Sequence, residues 1–305
     1  MSNPLPYVIN ASLDLFVAFS PVFNGQQPSR NRSFQISNSQ VNRISITGDN
    51  KVAFCTNPYV FIADVQHFDT NSPIQYSGHQ ANVMDIAFDD MTFYTCSEDK
   101  TWQVWDRRQT KLRSQYRVPT ACSLSCLGLF YTKDILLTGN DKGEIAAWST
   151  KERKLIHTLR ISQQPIRSIA TSKKSNKIIA LCQDGNCFAL AINDDEIKKI
   201  KQFQVHHDVP LRCVISPDEN MFVTTSADST AKLWNFNDYE YIQTLSETDQ
   251  KKWIWDAAFT ADSKYVCTAG TDKYCRTWNT ETGEIVYKQM PHPHKGIIAI
   301  DILYQ

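Results

Sequence analysis

Apolar and polar residues follow one another along this chain in short runs. Around Trp234 the apolar runs fall at 211–215, 221–225, 230–236 and 241–245, with polar breaks between them. Runs of this length, alternating or continuously apolar and rich in Val, Ile, Thr and aromatic residues, predict β-strands. The break Ser216-Pro217-Asp218-Glu219-Asn220 has the proline and short polar side chains of a tight turn. Near the N-terminus similar runs predict strands at about 7–12, 15–20 and 32–37, and the last run spans 296–304.

The runs are grouped at a fixed period. Asp99-Lys-Thr-Trp-Gln-Val-Trp105, Asp228-Ser-Thr-Ala-Lys-Leu-Trp234 and Asp272-Lys-Tyr-Cys-Arg-Thr-Trp278 each place a turn aspartate six residues before a tryptophan, and Asp141 to Trp148 repeats this with one residue more. Degenerate copies lead from Asp184 to Leu190, Asn57 to Ala63 and Asp14 to Ser20. The series 20, 63, 105, 148, 190, 234, 278 has spacings of 43, 42, 43, 42, 44 and 44. A unit of this size with four strands is a propeller blade, so the sequence predicts an all-β, seven-bladed β-propeller occupying 1–305 as a single domain. The ends complement each other: three N-terminal strands and one C-terminal strand make the seventh blade, which closes the ring and hides the sheet edges.

Composition narrows the chemistry. The chain has 32 Lys+Arg against 32 Asp+Glu, and a net charge of zero removes the electrostatic footprint of a nucleic-acid binder. Nine cysteines lie in apparent strands with no C-x-x-C pair, as expected of reduced, buried thiols in a cytoplasmic protein. The apolar N-terminal stretch lacks a basic leader and contains Asp14, so it reads as strands and not as a signal peptide. No run approaches the roughly 20 apolar residues of a membrane span. His292-Pro293-His294 lacks a third ligand at metal spacing and reads as a loop, so no metal or cofactor is expected.

The signature residues resemble the WD-repeat family along the whole chain. In that family a His, a Ser or Thr, the turn Asp and the Trp form a hydrogen-bonded set. The resemblance implies such structural sets at His79, Ser97, Asp99 and Trp105, and at His207, Ser226, Asp228 and Trp234. A His-Ser-Asp combination is also hydrolase chemistry, but recurrence at one register in two blades favours architecture over catalysis. The innermost-strand positions Asn42, Met84, Arg167, Arg212, Trp255 and Ile298 form no catalytic set, and no catalytic residue is assigned.

Trp253 and Trp255, in Lys251-Lys252-Trp253-Ile254-Trp255-Asp256, fall outside the blade signature, and alternation along a strand puts them on one side with Ile254 on the other. Paired tryptophans at the channel mouth are interface anchors. Ser39-Gln40-Val41-Asn42-Arg43, Trp253-Ile254-Trp255-Asp256 and His294-Lys295-Gly296 resemble one WD-repeat lineage, the small propeller subunit of TOR kinase complexes. That resemblance implies a non-catalytic scaffold that docks on and stabilises the kinase domain of a TOR-type protein kinase. Gln40, Asn42, Trp253 and Trp255 are its expected partner-binding residues. The N-terminal blade departs from the lineage: Ser20 stands where a tryptophan is expected, and the loop 24–32 is poor in apolar residues. The competing readings are a WD-repeat adaptor of another complex, such as a ligase substrate receptor, and a propeller enzyme.

Overall fold

The computed structural model describes residues 6–23, 33–47, 49, 51–64, 72–107, 112–117, 121–130, 134–193, 196–247 and 251–304; the loop 24–32 lies outside them. They form seven four-stranded antiparallel sheets arranged in a ring. Six blades are continuous in sequence and are numbered one to six in chain order. Their innermost strands are Arg43–Ile46, Val83–Phe88, Leu124–Phe130, Ile166–Thr171, Pro210–Ile215 and Ile254–Phe259. The closing blade pairs Ile297–Tyr304, innermost, with Pro6–Ser12, which is followed outward by Phe16–Pro21 and Ser33–Gln35. Each innermost strand packs on the next around the ring, and Ile297–Tyr304 packs on both blade six and blade one.

The one-plus-three closure therefore stands as the strand count predicts. In blade five the strands run Pro210–Ile215, Met221–Ser226, Ala231–Asn235 and Tyr241–Leu245, within a residue of the apolar runs. Each of its three turns holds a residue at positive φ, Glu219, Ser229 and Tyr239. In blade six the second strand ends on Gly270, where a Cβ would lie 2.2 Å from the carbonyl oxygen of Trp253.

The core is divided into layers between blades, as a ring of sheets requires. Ile166, Ile169, Ile178 and Ala180 of blade four pack on Ile135, Leu137, Ile145 and Ala147 of blade three. Trp102 is fully buried between blades two and three, 5.6 Å from Trp148. All nine cysteines are buried, which agrees with thiols used as small apolar side chains.

Hydrogen bonds staple neighbouring blades near the axis. Asp85 Oδ2 accepts from the Leu127 N–H (3.1 Å), Asp256 Oδ2 from the Ile300 N–H (3.0 Å) and Ser168 Oγ from the Cys213 N–H (3.2 Å). In each case a side chain on one innermost strand satisfies a backbone donor on the next. Asp301 does the same across the closure, accepting from the Ile46 N–H at 2.9 Å. Burial raises the pKa of Asp301 to about 6, against the pull of those N–H groups and of Arg43.

Candidate interaction face and the signature clusters

Two blades carry the complete signature cluster. In blade two His79 Nδ1 donates to Asp99 Oδ2 (2.8 Å), and Trp105 Nε1 donates to Thr95 Oγ1 (2.8 Å). Since that oxygen accepts from the indole, its own proton goes to His79 Nε2, 2.8 Å away. This arrangement turns the Nδ1–H of the imidazole toward Asp99. Burial opposes ionisation of Asp99, but hydrogen bonds from His79, Thr101 and the Gln80 N–H outweigh it and hold the carboxyl at about 2. Every polar group is satisfied, and no nucleophile is exposed.

Blade five repeats this geometry with one correction to the sequence reading. The histidine is His206: its Nδ1 lies 2.8 Å from Asp228 Oδ2 and its Nε2 2.8 Å from Thr224 Oγ1, while His207 points to solvent. Adjacent histidines in an extended segment face opposite sides, and only the inward one reaches the turn aspartate. In both blades the hydroxyl joining His to Trp belongs to Thr95 or Thr224. Ser97 and Ser226 lie one step away, accepting the N–H of Asp99 (3.1 Å) and Asp228 (3.0 Å).

A Thr ten residues before the Trp is the common partner of all four signature tryptophans, since Trp148 donates to Thr138 (3.0 Å) and Trp278 to Thr268 (2.8 Å). The closing blade keeps the spacing and changes both residues. There Asn10 Nδ2 donates to Ser20 Oγ (2.8 Å), and His292 Nε2 lies 2.7 Å from Asn10 Oδ1. Because that amide oxygen can only accept, His292 carries its proton on Nε2, the opposite tautomer to His79. Its Nδ1 faces Asp14 Oδ2 at 3.5 Å. Burial lowers the His292 pKa, with Asp14 opposing the shift. The segment His292-Pro293-His294 is therefore part of a signature cluster and not merely a loop. The sequence signal was Asp14 and Ser20 at the right period.

On the axis, Arg43 bridges two carboxylates. Its Nη1 lies 3.2 Å from Asp256 Oδ2 and its Nε 3.3 Å from Asp85 Oδ1, while Arg212 Nε is 3.4 Å from Asp256 Oδ1. Burial raises the pKa of Asp85 and Asp256, against the pull of Arg43 and of backbone N–H groups. These acids were missed because a bulge in the innermost strands, at Met84 and at Trp255, turns the following residue toward the axis. The bulge at Leu211 likewise places Arg212 with Asp85 and Asp256, not with Trp255. The matched segments Val83-Met-Asp-Ile-Ala-Phe88 and Ile254-Trp-Asp-Ala-Ala-Phe259 would have revealed the pair. Among the described residues no group of three or more His, Cys, Asp or Glu is placed to hold a metal ion.

Above this network a cavity of about 120 Å³ opens, with Asn42, Met84, Arg167, Trp255 and Ile298 in its wall. Asn42 Nδ2 donates across to Val83 O at 3.0 Å. Trp253 lies against Trp255, ring centroids 5.4 Å apart and planes at 53°, and is 46% exposed. Trp255 is half-buried, and its Nε1 has no hydrogen-bond partner. The expected quartet is thus partly assembled: Asn42 and Trp255 share the cavity and Trp253 extends it outward. Gln40 is exposed but does not line it.

Comparison with known proteins agrees with this architecture. The family described as "WD domain, G-beta repeat" matches residues 71–106, 197–235 and 239–279. Target of rapamycin complex subunit wat1 of Schizosaccharomyces pombe is 31% identical over 219 residues, covering 69% of each chain. Target of rapamycin complex subunit LST8 of Mus musculus is 29% identical over 242 residues, 73% of each chain. LST8-1 of Arabidopsis thaliana is 26% identical over 261 residues, covering 83% of this chain and 84% of that one. With seven blades, the WD signature clusters and relatives of this similarity, the chain belongs to the WD-repeat family of target of rapamycin complex subunits.

Proposed function

We propose that this protein is a non-catalytic scaffold that docks on, and stabilises, the kinase domain of a TOR-type protein kinase, its whole chain acting as one rigid domain in the cytoplasm. Its relatives wat1 and LST8 are named as subunits of such complexes. The observation that carries the docking site is the Trp253–Trp255 pair: a ring left 46% exposed and backed by a second ring has no role in closing the blade. Large aromatic side chains in that setting are the usual hot spots of protein interfaces. Asn42 borders the same cavity, and Gln40 supplies an exposed amide two residues away.

The axial acids support a non-catalytic reading. Asp85 and Asp256 each accept from backbone N–H groups and face Arg43, so both are committed to holding blades together. A general base needs a free lone pair within reach of a substrate proton.

Exposure separates the two tryptophans in an experiment. Trp253→Ala removes a side chain that is half in solvent, so the melting temperature stays near wild type while kinase co-purification falls. A loss of at least about 2 kcal/mol corresponds to roughly thirty-fold in affinity. Trp255→Ala lowers both, because that ring also fills the cavity wall. A Trp253→Ala protein that retains the kinase at wild-type affinity removes the docking assignment.

A further inference from the structure

The mouth of the central channel is ringed by bulge residues of the innermost strands. Breaks in register leave Met84, Ser125, Arg167, Leu211, Trp255 and Ile298 without a cross-strand partner, and all six line the cavity of about 120 Å³. A bulge re-aims the side chain of the residue it frees from the ladder. Four of the six are apolar, Ser125 is small and neutral, and Arg167 is the one charged member.

Arg167 differs from the two arginines of the network below it. Arg43 bridges Asp85 and Asp256, while Arg212 reaches Asp256 at 3.4 Å and Ser168 Oγ at 3.3 Å. Arg167, on blade four, is partly buried and has no hydrogen-bond or ion-pair partner among the described residues. The cavity wall thus holds three arginines against two aspartates, and both aspartates are already engaged. Asp301, whose charge also acts on Arg43, does not line the cavity, and its oxygens accept from the Ile46 and Ile302 N–H groups. The excess charge therefore sits at the mouth, on the guanidinium of Arg167.

A guanidinium is always protonated in a protein. While the mouth is open, water solvates it. Once a partner covers the mouth that water is lost, and burying an unpaired charge opposes docking. Trp255 and Arg167 line the same cavity, so a partner seated on the tryptophan pair has to bring a counter-charge to Arg167.

We propose that the channel mouth accepts one carboxylate side chain, an Asp or Glu of the docked kinase domain, paired with Arg167 inside a wall of Met84, Leu211 and Trp255. This pairing presupposes the docking proposed above and specifies the chemistry of the partner there. Cavity size selects the occupant: 120 Å³ has room for several waters, and so for one short side chain, but lies below the roughly 300 Å³ at which pockets for small organic ligands begin. The planar fork of arginine receives both carboxylate oxygens, so the contact is directional as well as attractive.

Calorimetry with the full-length protein and the recombinant kinase domain tests the pairing. Arg167→Gln is expected to weaken binding at least about tenfold, equivalent to about 1.4 kcal/mol, and Arg167→Lys, which keeps the charge without the fork, to weaken it less. Both variants should melt as the wild type does, because Arg167 has no internal partner to lose. Neutralising the surface acids of the kinase domain one at a time then finds the carboxylate: one Asp→Asn or Glu→Gln change weakens binding to the wild-type protein and adds nothing to the loss in Arg167→Gln. Should Arg167→Gln fail to fold, the same acid scan is run against Arg167→Lys. Trp253→Ala is the control for docking itself. If it loses the kinase while Arg167→Gln binds like wild type, the docking face stands and the carboxylate pairing is overturned; if both bind like wild type, the two proposals fall together. A scan that finds no coupled acid also overturns the pairing, and saturable binding of inorganic phosphate that Arg167→Gln abolishes would then name a free anion as the occupant.

Discussion

The signature clusters of blades two and five and the cluster of the closing blade are built on one plan with different contents. In the first two, Thr, His, Asp and Trp satisfy one another, with Nδ1 of each histidine toward the aspartate and Nε2 toward the threonine. In the closing blade Asn10 and Ser20 replace Thr and Trp, the imidazole takes the other tautomer, and the aspartate stands off at 3.5 Å. The plan thus tolerates loss of its largest member provided the remaining polar groups stay paired. The closing blade has a second source of stability: Pro6–Ser12 and Ile297–Tyr304 pair along seven register positions, a long-range closure that no other blade has.

Removing the tryptophan where it exists should show the greatest contrast. Trp105→Ala or Trp234→Ala deletes a buried ring and strands the Thr and His beneath it, a loss of about 3–5 kcal/mol. Ser20→Ala removes one hydroxyl from a site already without a ring, and is expected to cost about 1 kcal/mol. Chemical denaturation of the variants measures the difference. Equal losses would mean that Ser20 carries the same share of its blade as a tryptophan does.

Next in size is the turn aspartate. Asp228→Ala leaves the His206 Nδ1–H and the Thr230 N–H without their acceptor, at a cost of about 1–3 kcal/mol. Asp14→Ala is milder, since Asp14 lies farther from its histidine and its other bond, from the Phe16 N–H, is exposed. Matching melting curves for the two variants would show the closing cluster to be as tightly coupled as the complete ones.

The contrast also explains what was legible in the sequence. Period and turn chemistry are local, so the seven blades, their strand limits and the one-plus-three closure follow from spacing alone. The Trp and Asp members of each set were legible for the same reason. His206 was mistaken for His207 because choosing between adjacent residues needs the direction of one side chain, which the loop before the innermost strand decides. Asp85 and Asp256 escaped notice because a one-residue bulge changes which side chain meets the axis. His292 was hidden by the loss of its usual partners, although the Asn10-to-Ser20 spacing of ten matches Thr95 to Trp105.

The smallest effect is in pH, and its sign distinguishes the clusters. Asp99 is held at about 2, below its unfolded value near 3.9, so its contribution is fully present above pH 4 and is lost as pH falls toward 2. Asp228 is lowered likewise and adds to the same acid limb. His292 is lowered by burial, so the unfolded chain takes up its proton first, and stability declines as pH falls through the unfolded value near 6.5. Asp301 acts oppositely: with a folded value of about 6, it is protonated earlier in the folded state, and stability rises as pH falls from about 6 toward 4. His292 and Asp301 therefore offset each other over much of this range and flatten the wild-type profile. In Asp301→Asn that share of the compensation is gone, leaving Asp85 and Asp256 raised in the same sense, and denaturant midpoints should fall below wild type between pH 6.5 and 5. Adding His292→Asn to that variant should level the profile again while leaving the limb below pH 4 in place. A decline between pH 6.5 and 5 that persists in the double variant would place the titrating group outside the closing blade.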